Sequence, residues 1–98
     1  MTQSSGEAAV ASTATLSMHY VALAWTRSAS PSVTGYNVYR SAYATGPFQR
    51  INLFLEPATV FTDYTVAAGH TYHYVVTAMV GTSESQHSGQ VTAVVPSP

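Results

Sequence analysis

Four histidines, four acids and a large share of serine and tyrosine are the groups in this sequence that could do chemistry. A zinc site needs three or four converging ligands with support behind them. His70 and His73 are three residues apart, a spacing that converges on a helix but points to opposite faces on a strand. His19 and His87 border other segments, with no acid clearly beside them. All four read as polar surface residues, so no metal and no cofactor is expected. Hydrolysis through a serine would show a Gly-x-Ser-x-Gly elbow, and none is present. Paired-carboxylate chemistry needs two acids across a cleft. Here Glu7, Glu56, Asp63 and Glu84 fall in a tail, a loop, a strand end and a loop. Without cysteine there is no thiol nucleophile, thiolate site or disulfide. The chain is not expected to be an enzyme.

Composition narrows the partners. The 98 residues are 46% hydrophobic and only 7% charged, enough to bury one core and too short for two domains. Three arginines, no lysine and a net charge of −1 make no basic patch for nucleic acid or an anionic membrane. No stretch approaches the ~20 apolar residues of a membrane span. Residues 1–8 read as a flexible spacer without the charged and apolar regions of a signal peptide. A monomer is expected in isolation, although so little charge opposes self-association only weakly.

The elements that must position these groups alternate with period two. Val21, Leu23 and Trp25 share one face of a strand, as do Tyr72, Tyr74, Val76 and Ala78. Turn residues separate the runs at Ser28–Ser32, Thr45–Pro47, Glu56-Pro57, Ala68-Gly69 and Gly81–Gly89. Seven strands are expected, at about 8–15, 18–26, 34–41, 47–52, 58–64, 71–80 and 88–95, and no helix. The domain is placed at 9–95, with 96–98 beginning a proline-rich linker. On the sheet of the third, sixth and seventh strands, Asn37, Tyr39, His73, Val75 and Thr77 should face outward. With Tyr43 on a nearby loop, Tyr39, His73 and Val75 form the candidate binding face. Cross-strand pairing of good sheet formers explains the same residues without a ligand. Leu53 and Phe54 form a second apolar candidate, or fold back over the core.

Several runs, in order, resemble the fibronectin type III family. They are Val21-Ala22-Leu23-Ala24-Trp25, Gly35-Tyr36-Asn37-Val38-Tyr39-Arg40-Ser41, Gly46-Pro47-Phe48 with Ile51-Asn52, Phe61-Thr62-Asp63, and Val66 through Gly69-His70-Thr71-Tyr72 to Ala78. Glu84-Ser85 and Ser88 with Val91 resemble the family's last hairpin. The resemblance implies an all-β, immunoglobulin-like sandwich of seven strands with Greek-key connections and no disulfide. It implies structural roles for Trp25, Tyr36, Val66, Gly69 and Tyr72, with the Tyr72 hydroxyl bonding backbone upstream. Arg40, where animal members bury a hydrophobe, is expected at the sheet edge with its head in water. The animal Arg-Gly-Asp motif is absent from the last loop. The resemblance further implies a bacterial extracellular or cell-surface protein, in which such a module spaces and docks adjacent domains. The alternative is a binding module for carbohydrate or a protein, using the Tyr39/His73/Val75 face or the loops.

Overall fold

The computed structural model describes residues 7–11, by backbone only, and 19–97. The expected spacer through residue 6, residues 12–15 and 18 of the first two expected strands, and Pro98 lie outside the described residues. Alternating apolar positions pair into antiparallel ladders. One sheet runs in the order β1-β2-β5, with β1 at Glu7–Ala11, β2 at Val21–Thr26 and β5 at Val60–Asp63. The other places β4 (Gln49–Arg50) beside β3 (Gly35–Ser41) and β3 beside β6 (Thr71–Val80). Both β7 (Ser83–Glu84) and β8 (Val91–Val94) then pair with β6. The core between the sheets holds Val21, Leu23, Trp25, Tyr36, Val38, Val66, Tyr72, Tyr74, Val76, Ala78, Ala93 and Val95. These are the inward positions of the period-two runs.

The described strands number eight, against the seven expected. The expected last strand, 88–95, is preceded by β7, a short return folded directly back from β6 across Gly81-Thr82. Glu84 lies opposite Met79, and Val91 opposite Tyr74. Six residues, 85–90, therefore span the four of β6 between those pairs, a two-residue bulge. Inside it the Ser85 and Ser88 hydroxyls accept hydrogen bonds from the Ala78 and Val76 amides, both at 2.9 Å. Serine side chains thus replace missing strand carbonyls, which alternation alone does not reveal. The fourth strand is shorter than 47–52, because beyond Ile51 a side chain takes over the pairing with β3. The first begins at Glu7, inside the stretch read as a spacer, by pairing Glu7 with Thr26.

Candidate functional site

The outward residues of β3 and β6 do not form an open binding face. Val75 is 3% exposed, Asn37 5% and Thr77 1%, whereas alternation had placed all three toward solvent. The returning segment 84–90 lies across this face and covers it. The Glu84 carboxylate accepts from the Tyr39 hydroxyl and, at 2.5 Å, from the Thr77 hydroxyl. His87 stacks at 5.2 Å from Tyr39 and stands edge-on to Phe48 at 6.1 Å. The Gln90 side-chain amide donates to the Ala44 carbonyl at 2.9 Å. Burial first, then the Glu84 carboxylate, pushes the Tyr39 hydroxyl up to about 12. Burial raises the Glu84 pKa, but hydrogen bonds from Thr77, Tyr39 and Asn37 with the nearby His87 outweigh it and hold Glu84 below the usual range. His73 remains partly exposed, with Nδ1 at 3.0 Å from the Thr92 hydroxyl. Tyr43 stands apart in the turn after β3, 69% exposed. The four candidate residues are therefore not presented as one surface.

The second constellation joins the two sheets. The Tyr72 hydroxyl accepts from the Ala67 amide at 2.9 Å, above the buried Val66. Gly69 turns the chain at φ 78°, in the left-handed region that favours glycine, and its amide bonds the Val95 carbonyl at 2.9 Å. Replacing Tyr72 with Phe strands the Ala67 amide, and thermal unfolding should show about 1–2 kcal/mol of lost stability. An unchanged unfolding midpoint would remove Tyr72 from this role.

Arg40 departs from its expected place with its head in water. Its guanidinium lies 5.0 Å over the Tyr72 ring and donates at 2.8 Å to Asp63 and 2.6 Å to Thr65. The stem follows the core-facing parity of β3, and a buried carboxylate on the opposite sheet draws the charge inward. Asp63, 3% exposed, also accepts from the Tyr74 hydroxyl at 2.8 Å, from the Thr65 amide at 3.0 Å and from the Thr65 hydroxyl at 2.6 Å. Burial alone would raise its pKa, yet these donors together hold it below the ordinary carboxylate value. Burial and Asp63 push the Tyr74 hydroxyl well above its usual value.

At the free edge of β3, Asn52 substitutes for backbone. Its Oδ1 accepts from the Val38 amide at 2.9 Å, and its Nδ2 reaches the carbonyls of Phe54 (2.9 Å) and Tyr36 (3.3 Å) and Asn37 Oδ1 (3.0 Å). Pairing then resumes between Glu56 and Tyr36. Residues 53–55 loop out, leaving Leu53 80% and Phe54 77% exposed, so they do not fold back over the core. Trp25 packs edge-on to Tyr36 at 5.6 Å, while its Nε1 has no hydrogen-bond partner among the described residues. The Tyr36 hydroxyl accepts from the Ser28 amide at 2.9 Å. A cleft of about 270 Å³ nearby is lined by Arg27, Ser30, Tyr36 and Thr59 among others, with no carboxylate or histidine. No cluster of three metal-ligating side chains occurs among the described residues.

Comparison with solved structures adds relatives. An Fn3-like protein from Clostridium thermocellum is 30% identical, with TM-score 0.73, over 95% of this chain and 90% of that one. A β-1,2-glucanase from Parabacteroides distasonis matches at 23% identity and TM-score 0.70, over 95% of this chain but 13% of its own. Domains A168–A170 of titin match at 20% identity and TM-score 0.71, over 93% of this chain and 30% of theirs. No protein-family model and no curated protein matches the chain.

Proposed function

The chain belongs to the fibronectin type III family, and from that premise we propose that it is a non-catalytic module that spaces and docks neighbouring domains of a larger extracellular or cell-surface protein. The observation that carries this reading is where two of the four acids go. Asp63 and Glu84 spend their oxygens on hydrogen bonds that fasten strand to strand, and neither faces the cleft. Catalysis by acid and base needs such groups free beside a substrate. The same fold fills only 13% of the glucanase chain and 30% of the titin fragment, as a unit within a longer array does. A clamp between the sheets suits a part that keeps its shape while its neighbours move.

The test is a heteronuclear NMR spectrum of the labelled domain, alone, joined to a flanking domain, and mixed with soluble glycan fragments. Shifts at one end of the sandwich on joining, and none with glycan, are the expected result. Shifts clustering with glycan on Tyr39, Tyr43 and His73 would overturn the spacer reading in favour of a binding module.

A further inference from the structure

We infer that β5 is an edge to which a second copy of this chain adds, strand against antiparallel strand. This is independent of the spacer reading. The Trp25 amide donates to the Thr59 carbonyl at 3.0 Å, in the same register that pairs Leu23 with Phe61 and Val21 with Asp63. The antiparallel alternation then turns the backbone groups of Thr59, Phe61 and Asp63 toward β2, and those of Val60 and Thr62 outward. No loop, cap or side chain among the described residues bonds the backbone of Val60 or Thr62.

Natural sheet edges are usually guarded by lysine, proline, a bulge or an exposed charge. Ala58–Tyr64 contains neither lysine, arginine nor proline. Its one charge, Asp63, is bound inward by Arg40 and Tyr74. The connection from the edge of β3 into β5 carries the exposed Leu53, Phe54 and Leu55, and the exposed Val60 and Tyr64 follow. Five of the eight large exposed apolar side chains among the described residues thus fall in the stretch 53–64.

The occupant is a second copy because the edge is complementary to itself. In a two-fold register centred on Thr62, Thr62 meets the partner's Thr62. Val60, 55% exposed, meets the partner's Tyr64, 67% exposed. Threonine pairs and aromatic–β-branched pairs are the favourable cross-strand combinations. A register centred on Val60 would leave both tyrosines unmatched. Symmetric pairing here opposes no exposed like charges, and the net charge of −1 adds little repulsion.

Sedimentation equilibrium of the 98-residue chain over a concentration series, with amide hydrogen exchange on the same samples, tests this. Expected are a concentration-dependent dimer and growing protection of the Val60 and Thr62 amides. Val60→Lys should weaken association by about tenfold or more, a change readily read from the equilibrium constant. Tyr43→Lys, on an exposed site elsewhere, should leave it unchanged. A monomer at every concentration would overturn the proposal. So would a dimer indifferent to Val60→Lys, or amides at Val60 and Thr62 whose exchange ignores concentration. Protection of these amides only on adding an unrelated extended peptide would assign the edge to a foreign strand and equally overturn it. Because the exchange measurement uses the unmodified chain, the outcome does not depend on the lysine variant folding.

Discussion

Asp63→Asn lowers the unfolding free energy of this domain by about 2–3 kcal/mol, the scale of hydrogen bonds to a charged group. For a domain of this length that is roughly 10–20 °C in melting temperature. Two effects compete at Asp63. Removing a carboxylate from water costs stability, and at 3% exposure that cost is substantial. Against it stand two bonds from Thr65 and one each from Arg40 and Tyr74. The pKa, held below the ordinary carboxylate value by these donors despite burial, says that the donors win. Asparagine keeps one oxygen for Thr65 but sets an NH2 group against the Arg40 guanidinium. The Tyr74 hydroxyl can turn to accept, whereas Arg40 cannot, since a guanidinium has no acceptor.

The same clamp has a signature in pH. A carboxylate whose folded pKa lies below its unfolded one contributes stability above the unfolded value. That stability is lost as pH falls from about 4 through the folded value, where the native state must also take up the proton. Glu84 is shifted in the same direction and adds to the acid loss. The difference between wild type and Asp63→Asn therefore isolates Asp63. Melting temperatures should differ most at neutral pH and converge in acid. A constant gap across that range would mean that Asp63 acts through shape and not through charge.

How much of this could be read in the sequence depends on whether side chains or backbone do the pairing. The inward set from Val21 to Ala78 follows from alternation, and β6 spans residues 71–80 as expected. Alternation also gives the outward parity of Tyr39, His73 and Val75. It cannot show that residues 84–90 return over that face, because the return depends on serine hydroxyls and a glutamate bonding particular neighbours. Val75 therefore looked open and is buried. Asp63 was legible as an acid at a strand end, where aspartate commonly orders a turn, and its Thr65 bonds do that. Its reach to Arg40 and Tyr74 depends on how the sheets stack, which no local spacing encodes. Asn52 lay within a recognisable Ile51-Asn52 pair, but nothing local announces that one amide side chain stands in for a length of strand.

Asn52→Ala should cost about 3 kcal/mol, for reasons that differ among its four bonds. The Tyr36 carbonyl also accepts from the Glu56 amide at 3.0 Å, and its contact with Asn52 is the longest at 3.3 Å. Losing that contact matters least. The Val38 amide is the main loss: it sits on a residue with 0% exposure and has Asn52 Oδ1 as its partner. A buried amide left alone costs on the order of 1–3 kcal/mol. Asn37 Oδ1 and the Phe54 carbonyl supply the rest, and Leu53–Leu55 lose the anchor that holds them out from the edge. Amide exchange at residues 53–56 should therefore accelerate more than elsewhere. Asn52→Asp separates the two ends of the side chain. It preserves the acceptor for Val38 but turns a second oxygen toward the carbonyls of Phe54 and Tyr36 and toward Asn37 Oδ1. With no donor for its second oxygen, the new carboxyl is better neutral, so its folded pKa rises above the unfolded one. The sign is then opposite to that of Asp63: the variant is least stable at neutral pH and recovers relative to wild type as pH falls. Thermal melts of both variants across pH decide the matter. An Asn52→Asp protein as stable as wild type at neutral pH would show that Nδ2 contributes nothing and that the Val38 amide alone fixes the edge.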